Sequence, residues 1–361
     1  MSRQLMKGNE ALAEGAVRAG CRFFAGYPIT PQNEVPEYMS WRLPQVGGHF
    51  IQAESEVAAI NMIYGAASTG VRCMTSSSSP GISLKQEGIS YCAGADLPFF
   101  FANVVRGGPG LGNIAGSQGD YFQAVKGGGH GDYRVFTMAP SGVNEMANFP
   151  HKCYEVAFKY RVPSMVLADG IIGQMMEPVE FQNPEVDLKK LPKLDWTLGI
   201  NNGRERRVVN SYDLKEGALE VMINNRIKHY KQLEENEVIY EEKMIEDAEI
   251  VIVAYGTSAR VSMAAVKIAR EKGVKAGLFR PITLWPYPKK RLFELAQRIK
   301  SFLVVEMNLG QMVEDVILSL NGKGKVYFYG RPGGSVITAE EVYDALEKII
   351  KKGAREYAAI K

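Results

Sequence analysis

The sequence predicts an α/β protein in which two parallel-sheet domains are joined by a linker. Short apolar runs alternate with helix-length segments over residues 1–181, and the same alternation returns over residues 246–361. Strands separated by helices of this length form a parallel sheet that is covered on both faces. Residues 182–245 are polar, punctuated by prolines, and contain one charged segment of helical length. We therefore predict a first domain over 1–181, a linker with a helix over 182–245, and a smaller second domain over 246–361.

The first domain is predicted to alternate strands and helices along its length. Apolar runs of strand length occupy residues 21–25, 49–52, 71–75, 99–105, 135–139 and 164–168. Segments typical of helices occupy residues 5–19, 55–68, 82–93 and 143–159. Ser55 is a candidate N-cap, because a serine hydroxyl can accept a hydrogen bond from a free N–H group of the first turn. Residues 107–131 are rich in glycine and predict a loop.

The linker and the second domain show the same kinds of pattern. The linker contains a charged helix over 214–235. The second domain has predicted strands at 249–254, 276–279, 301–306 and 326–329, and predicted helices at 258–272, 292–299 and 311–320. Residues 280–288 contain three prolines and predict a turn.

The composition is that of an ordinary globular protein. The 361 residues are 46% hydrophobic and 23% charged, with a net charge of +3, which is too small and dispersed to predict nucleic-acid binding. The N-terminus lacks an apolar signal-peptide core, and residues 97–105, the most apolar stretch, are far shorter than the ~20 residues of a membrane helix. We expect a cytoplasmic protein without a membrane segment.

The cysteines predict neither a disulfide framework nor a metal site. Cys21, Cys73, Cys92 and Cys153 are widely spaced and form no CxxC pair. Iron–sulfur and zinc sites usually have clustered ligands, so we expect these four thiols to be buried as small apolar side chains. If the protein transfers electrons, the metal is expected on another chain.

Unusual polar residues follow four predicted strands of the first domain. Thr30 follows the first strand, Glu56 the second, the serine run 76–79 with Gly81 the third, and Arg106 the fourth. Ligands of an open parallel sheet bind beyond the carboxyl ends of its strands, where these residues should meet. The convergence of a hydroxyl, a carboxylate and a guanidinium predicts a functional site.

Each of these residues also has a structural interpretation when it is taken alone. A glutamate in the first turn of a helix, such as Glu56, is stabilised by the helix dipole. Arg106 could pair with an acidic residue, and Thr30, which lies between prolines, could simply favour a turn. The serine run could form the entry to a helix. The functional interpretation therefore rests on the convergence of these residues and not on any one of them.

The glycine-rich segment permits several interpretations. Residues 110–115 fit the pattern GxGxxG/A, but the glycines are spread too widely for the tight strand–turn–helix of a dinucleotide site. A flexible loop that closes over a site fits better. His130 in this loop could be an acid–base group or a surface hydrogen-bonding residue. The N-terminus of a helix after residues 254–258 could accept a phosphate, although structural capping fits better.

Four motifs of the first domain resemble the α subunit of the 2-oxoacid:ferredoxin oxidoreductase family. They are GYPITP at 26–31, ESEVAA at 54–59, TSSSSPG at 75–81 and VRGGPG at 105–110. Their order resembles the family's thiamine pyrimidine-binding domain. The sequences RPITLWP at 280–286 and EMNLGQ at 306–311 resemble its smaller transketolase-C-like α/β domain. The resemblance covers nearly the whole chain except the linker.

This resemblance implies cofactors and partners. Thiamine diphosphate and magnesium are expected, with the diphosphate and the metal held mainly by a partner β subunit and the aminopyrimidine held by this chain. Coenzyme A is implied as co-substrate and ferredoxin as electron acceptor. The 4Fe-4S clusters are expected on partner chains, among which the family includes γ and ferredoxin-like δ subunits. The chain should therefore be active only with its partners.

The resemblance also implies roles for individual residues. Glu56 matches the glutamate that hydrogen-bonds the pyrimidine N1′ atom, and Thr30 matches the threonine near the reacting carbon. Arg106 matches the arginine that receives the carboxylate of a small 2-oxoacid, which suits a planar guanidinium. The remaining residues implied at the cofactor site belong to the first and third motifs and are Tyr27, Pro28, Ile29, Ser78 and Gly81.

The identity of the 2-oxoacid is predicted from two loop segments. Family members that act on 2-oxoglutarate commonly read GPSTGLPT after the arginine, whereas residues 108–115 here read GPGLGNIA. The string KGGGHGDY at 126–133 is similar to subunits assigned to branched-chain oxoacids. We therefore predict 2-oxoisovalerate, with Lys126 and His130 as candidate substrate-loop residues. Because Lys126 could pair with a distal carboxylate, 2-oxoglutarate is the alternative.

Two other classes of function have distinct signatures. A non-catalytic subunit for assembly or electron-transfer docking would be expected to lack Glu56 or Arg106, and both are present. A nicotinamide-dependent dehydrogenase would bind NADH on the isolated chain, which a thiamine-side subunit would not.

Overall fold

The structure is a computed structural model that describes residues 3–199, residues 205–352 and Tyr357. The predicted linker includes residues 200–204, and the predicted second domain includes 353–356 and 358–361, all of which lie outside the described residues. Residues 1 and 2 of the predicted first domain also lie outside them.

The first half of the chain forms eight strands and seven helices within residues 4–179. The strands are β1 (Gln4–Lys7), β2 (Phe23–Gly26), β3 (His49–Gln52), β4 (Cys73–Ser77), β5 (Phe99–Val105), β6 (Phe136–Met138), β7 (Pro163–Asp169) and β8 (Met176–Val179). The helices are α1 (Gly8–Arg18), α2 (Glu34–Gln45), α3 (Glu56–Ser68), α4 (Ser79–Gly94), α5 (Tyr121–Val125), α6 (Val143–Tyr160) and α7 (Gly170–Gln174).

The second half begins with a 3-10 turn at Leu188–Lys190 and the linker helix α8 (Ala218–Asn236). Its strands are β9 (Tyr240–Lys243), β10 (Ile250–Val253), β11 (Ala276–Pro281), β12 (Thr283–Trp285), β13 (Ser301–Glu306) and β14 (Lys325–Gly330). Its remaining helices are α9 (Gly256–Glu271), α10 (Lys289–Ala296), α11 (Met312–Leu320) and α12 (Ala339–Lys352).

Two mainly parallel sheets organise these elements, as the sequence predicted. The first has the strand order β12-β6-β7-β5-β4-β2-β3, and the second has the order β14-β13-β10-β11-β9. Each sheet has one antiparallel edge strand, β12 beside β6 and β9 beside β11. Right-handed crossovers place α2 and α6 on one face of the first sheet and α3 and α4 on the other. In agreement, α1 packs against α2 and α6, while α3 packs against α4.

Several predicted elements are confirmed with the same bounds, and others are corrected. The strands at 49–52, 99–105 and 301–306 match β3, β5 and β13. The helix predicted over 5–19 begins only at Gly8, because the residues before it form β1, which pairs antiparallel with β8. The turn predicted over 280–288 contains β12, which continues the first sheet.

Some elements were not predicted, and their sequences explain why. Helix α2 contains Pro36 and Pro44 near its two ends, where proline is tolerated, although the prolines hide the helical pattern. Strand β9 is charged at three of its four positions, and a sheet edge accepts such a strand. The short elements β1, β8 and α7 and the terminal helix α12 were also missed, and α5 interrupts the segment 107–131 that was predicted as a loop.

A buried carboxylate joins the two domains. Asp169 at the end of β7 accepts hydrogen bonds from the Thr257 backbone N–H (2.9 Å) and the Thr257 hydroxyl (2.7 Å) at the start of α9. It also caps α7 by accepting a bond from the Ile172 N–H. The helix N-terminus that could have held a phosphate thus holds a carboxylate of the same chain, which confirms structural capping. No helix among the described residues is long and apolar enough to cross a membrane.

Replacing Asp169 with alanine should destabilise the chain by about 2–4 kcal/mol, because a buried helix N-terminus loses its acceptor. Urea denaturation of the purified chain would measure this change. Asp247→Ala is the matched control, since Asp247 pairs with Arg270 at the exposed surface and its loss should have a much smaller effect. Equal losses for the two variants would contradict the structural role of Asp169.

Candidate functional site

The site lies where the order in which successive strands are added to the first sheet changes direction. The connection from β2 leads through α2 to the neighbour β3, whereas the connection from β4 leads through α4 to β5 on the other side. Because β2 and β4 are adjacent, their carboxyl-end loops diverge and leave a crevice, the usual ligand position in such sheets. The loop 26–31 and the serine run 76–79 form its two walls.

Glu56 enters this crevice from the first turn of α3. The Ser55 hydroxyl accepts a hydrogen bond from the Ala58 N–H (3.1 Å), which confirms Ser55 as the N-cap and fixes the start of the helix. The Glu56 side chain is buried, with only 6% of its surface exposed. A Cβ atom at Gly81 would lie 2.6 Å from the Glu56 Oε1 atom and would overlap the Ser77 hydroxyl. Glycine at this position therefore makes room for the carboxylate.

The serine run divides into bonded and unbonded hydroxyls. The Ser76 hydroxyl donates to the side-chain oxygen of Gln32, and the Ser79 hydroxyl accepts from the Arg106 N–H. The hydroxyls of Ser77 and Ser78 are buried and have no hydrogen-bond partner in the described part of the chain. An unsatisfied buried hydroxyl costs about 1–3 kcal/mol, so two of them beside a buried carboxylate indicate a place for a polar ligand.

The loop with the YPIT sequence is held against the serine run. Gln32 is fully buried and donates from its side-chain nitrogen to the Tyr27 carbonyl (3.3 Å). The Gln32 N–H donates to the Ile29 carbonyl (3.0 Å). Tyr27, Pro28 and Thr30 themselves are exposed. Gln32 thus anchors the buried side of the loop, while the other side of the loop remains exposed.

Arg106 is buried at the end of β5 and bridges to the same loop. Its Nη1 atom donates to the Thr30 carbonyl (3.0 Å), and its Nη2 atom donates to the Leu111 carbonyl (3.3 Å). Its Nε atom is buried and unpaired. Two edges of the guanidinium are therefore fixed by the backbone, and a free N–H donor remains for an anion. The structure brings Thr30, Glu56, the serine run, Gly81 and Arg106 together, as the sequence predicted.

A buried lysine that the sequence analysis missed lies beneath the crevice. Lys85 on α4 is fully buried and donates to the Thr75 hydroxyl (2.8 Å) and the Ser76 carbonyl (3.2 Å). Burial lowers the pKa of the Lys85 ammonium from 10.5 to about 7, and the Glu56 carboxylate partly opposes this shift. The sequence contained a sign that this lysine is buried, because Lys85 occupies the apolar stripe of α4 between Ile82 and Ile89.

The glycine-rich loop folds on itself and contacts the second domain. The Gly107 N–H donates to the Ala115 carbonyl (2.9 Å), and the Asn113 amide donates to the Gly333 carbonyl (2.7 Å). No helix begins directly after residues 110–115, which form a loop, so the structural context of a dinucleotide fingerprint is missing from this described segment.

Lys126 and His130 lie away from these residues. Lys126 forms an ion pair with Asp315 of α11 (2.6 Å). The His130 carbonyl accepts from the Ser90 hydroxyl (2.7 Å), and its ring lies edge-on to Tyr91. Ser90 is about 16 Å along α4 from the helix end that forms the site, given a rise of about 1.5 Å per residue. In this structure neither side chain joins the convergent cluster.

A cavity of about 760 Å³ opens between the first domain and the second, next to the segment that follows Arg106. Its lining includes Ser79, Leu84, Pro109, Asp120 and Asn308. The Asp120 carboxylate accepts from the Asn103 amide (2.9 Å), and burial raises the pKa of Asp120 above its ordinary value. The lining is otherwise uncharged, which suits a ligand with apolar and hydrogen-bonding parts.

All four cysteines are buried and unpaired, which confirms their predicted structural role. Burial raises the pKa of the Cys21 thiol to about 11, so it stays protonated at neutral pH. Among the described residues, no group of three or more His, Cys, Asp or Glu side chains is placed to hold a metal ion.

Two family models match the chain. Residues 14–235 match the family described as pyruvate flavodoxin/ferredoxin oxidoreductase, thiamine diphosphate-binding. Residues 248–342 match the core domain II of pyruvate:ferredoxin oxidoreductase. The first match alone spans more than half of the chain and includes every residue of the convergent cluster.

Known proteins of the same kind align over nearly the whole length. A ketoisovalerate oxidoreductase subunit VorB of Methanothermobacter thermautotrophicus is 50% identical over 349 residues, 97% of each chain. A 2-oxoglutarate synthase subunit KorA of the same organism is 36% identical over 373 residues, 95% of this chain and 98% of that protein.

Solved structures confirm the predicted fold class. The 2-oxoglutarate:ferredoxin oxidoreductase from Magnetococcus marinus, with 2-oxoglutarate, coenzyme A and succinyl-CoA bound, aligns with a TM-score of 0.82 and 25% identity. The alignment covers 97% of this chain and 66% of that longer chain. A split gene transketolase aligns with a TM-score of 0.57 and 14% identity over 95% of this chain and 97% of that one, a likeness of fold alone.

Gly81→Ala should destabilise the chain by about 1–3 kcal/mol, because the new methyl group overlaps the Ser77 hydroxyl and pushes against Glu56. Thermal denaturation would measure the loss. Gly65→Ala is the matched control: Gly65 lies in the helix that carries Glu56 and has open space around its Cα atom, so alanine should be neutral or stabilising there. A neutral Gly81→Ala variant would contradict the tight packing around Glu56.

Proposed function

The chain belongs to the 2-oxoacid:ferredoxin oxidoreductase family, and on this premise we propose that it is the thiamine-side α subunit of such an enzyme. The enzyme decarboxylates a 2-oxoacid oxidatively, joins the acyl group to coenzyme A and passes two electrons to ferredoxin. The observation that carries the proposal is the buried Glu56 carboxylate, which fills the space left by Gly81 beside two hydroxyls that have no partner among the described residues.

The residues present fit the aminopyrimidine ring of thiamine diphosphate. When bound, thiamine diphosphate supplies the carbanion chemistry that removes the carboxyl group of a 2-oxoacid. Glu56 would hold a proton at the ring nitrogen N1′, as a buried carboxylate beside a basic nitrogen can. The hydroxyls of Ser77 and Ser78 would offer hydrogen bonds to polar atoms of the ring, and Gly81 leaves room for the Glu56 carboxylate that would face it. The exposed loop of Tyr27, Pro28 and Ile29 would line the open side.

Arg106 and Thr30 would bind the substrate. The buried Nε–H group of Arg106 has no partner among the residues that the structure describes and would donate to the substrate carboxylate. The Arg106 side chain is already held by the Thr30 and Leu111 carbonyls, so little rotational freedom is lost on binding. The Thr30 hydroxyl accepts only a long bond from Asn33 (3.5 Å) and remains available to the reacting group.

Partner chains complete the enzyme in this proposal. Large apolar side chains around the crevice are exposed, as expected of a surface that a partner covers. They are Tyr27, Ile51, Val57, Leu84, Leu111 and Leu309. A β subunit would bind the diphosphate and magnesium there, and γ and ferredoxin-like δ subunits would carry the 4Fe-4S clusters that pass electrons to ferredoxin. We also propose a cytoplasmic location, which four unpaired buried thiols support.

We propose 2-oxoisovalerate as the substrate. Identity to the ketoisovalerate oxidoreductase subunit is 50%, against 36% to the 2-oxoglutarate synthase subunit. The cation that could have bound a second carboxylate, Lys126, is already paired with Asp315. The cavity beside Arg106 is lined by apolar and neutral polar groups with one carboxylate, Asp120, which favours an uncharged substrate side chain.

Glu56→Gln in the assembled complex should lower kcat by about 10²–10⁴-fold, because the amide cannot hold the proton at N1′. Turnover would be measured as 2-oxoacid-dependent reduction of ferredoxin with coenzyme A and thiamine diphosphate present. Glu54→Gln is the matched control, since Glu54 lies two residues away and is exposed. Near-normal turnover of an intact Glu56→Gln complex would refute the role of this carboxylate.

The wild-type complex should prefer 2-oxoisovalerate over 2-oxoglutarate by at least about tenfold in kcat/KM, because the described residues that line the cavity offer no cation to a second carboxylate. Initial rates with each oxoacid would measure this ratio. A parallel Lys126→Met complex tests the alternative role of Lys126. A preference for 2-oxoglutarate that this substitution abolishes would instead make Lys126 the receptor for the distal carboxylate.

A further inference from the structure

The position of Lys85 is unusual for a lysine. Its side chain lies wholly inside the first domain and contributes to the apolar stripe of α4. Lysine is almost never fully buried unless it is paired, since burying an ammonium without a partner is costly. In the part of the chain that the structure describes, no carboxylate bonds directly to the Lys85 Nζ atom; its acceptors are the neutral Thr75 hydroxyl and Ser76 carbonyl.

The charge that balances Lys85 comes from Glu56. The ionisable groups that face α4 include Glu56 and Tyr64 on α3, Cys73 on β4, Asp169 on β7, and Arg106 and Asp120, which both contact Ser79. Within the described residues, Glu56 is the group whose charge raises the pKa of Lys85. The Glu56 Oε1 atom lies against Gly81 in the first turn of α4. Lys85 is one helical turn further along the same helix. The pair therefore interacts through space across the floor of the site.

The bonds of Lys85 also reach the opposite wall of the crevice. Lys85 holds the Ser76 carbonyl, the Ser76 hydroxyl donates to Gln32 (2.5 Å), and Gln32 donates to the Tyr27 carbonyl (3.3 Å). A continuous chain of hydrogen bonds thus runs from the lysine, through the end of β4, to the loop that contains Thr30. A change at Lys85 would be transmitted to both walls of the site.

We propose that Lys85 is a positioning residue whose buried ammonium is the counter-charge of Glu56 and holds that carboxylate and the end of β4 in place for the cofactor. This inference rests on the proposed binding of the thiamine ring beside Glu56. Lys85 touches neither cofactor nor substrate and acts through Glu56 and Ser76. It is charged below about pH 7 and neutral above, because its pKa is about 7. The counter-charge is therefore present at lower pH and lost as the pH rises.

The test compares Lys85→Met with the wild type in the cofactor-depleted complex. Methionine has a similar length and no charge. The Kd for thiamine diphosphate should rise about tenfold or more at pH 6, the size expected when a carboxylate loses a nearby opposite charge. At pH 9 the wild-type amine is neutral too, so the ratio of the two Kd values should fall towards one. A role in packing alone predicts a ratio that does not change with pH and would overturn the proposal.

Thr75→Val is the matched control. It removes one neutral acceptor of Lys85 and keeps the ammonium, so the Kd should change less than about threefold. If Thr75→Val weakened binding as much as Lys85→Met, the hydrogen bonds rather than the charge would position the site, and the inference would be wrong.

A second measurement separates this inference from the proposed function. Lysine labelled with ¹³C at Cε reports the ionisation of Lys85 by NMR in the cofactor-free complex, and Lys85→Met assigns the signal. The Lys85 midpoint should lie near pH 7 and should fall by about one unit in Glu56→Gln, because the carboxylate raises the pKa of Lys85. An unchanged midpoint would overturn the pairing. If the wild type did not bind thiamine diphosphate but the Lys85 midpoint still shifted in Glu56→Gln, the result would refute only the proposed function.

Discussion

The candidate site depends on one constraint, which is that a carboxylate must remain buried at the carboxyl edge of a sheet. Three features of the chain meet this requirement. The Ser55 cap starts α3 at the residue that carries the carboxylate, and the missing side chain of Gly81 leaves the space that it fills. Lys85 provides a positive charge from below. Gly81 and Lys85 are buried and Ser55 is half-buried, so these features act from behind the exposed mouth of the site.

The same edge of the sheet shows how hydrogen bonding separates structural from functional polar groups. Ser76 and Ser79 use their hydroxyls to tie the end of β4 to Gln32 and to Arg106. Ser77 and Ser78, which lie between them, leave theirs unpaired. Ser79 also has a φ of 22°, an unfavourable value for a serine, at the turn into α4. Ser76 and Ser79 therefore hold a strained turn in place. The hydroxyls of Ser77 and Ser78, between them, face the crevice.

Sequence patterns predicted the fold class, most strands and the convergent residues, because each depends on local information. The strand 99–105 is a continuous apolar run, and Thr30, Glu56 and Arg106 each follow a strand of the same sheet. What the sequence did not predict depends on contacts between distant segments. Strand β12 joins the first sheet only because residues 283–285 reach β6, about 145 residues earlier in the chain. Lys126 was assigned to a substrate loop, and only the fold reveals its partner Asp315.

The second domain illustrates why a fold alone does not locate a ligand. Its strand order also reverses, between β10 and β13, so that a crevice is expected beyond their carboxyl ends. The side chain of Gln118 from the first domain occupies this place: its amide nitrogen donates to the Tyr255 carbonyl (2.8 Å), and its oxygen accepts from the Ser258 hydroxyl and the Met307 N–H.

Filling that crevice has a consequence for the first domain. Gln118 is two residues beyond Gly116, which forms a backbone bridge with Arg106. The bonds that close the crevice of the second domain therefore hold the segment that bridges to Arg106, whose guanidinium we propose to bind the substrate. We infer that the second domain contributes by anchoring the loop of the first rather than by binding a ligand in its own crevice. This accounts for a buried amide, Gln118, and a buried carboxylate, Asp169, at the N-terminus of α9, a type of position that can otherwise bind a phosphate.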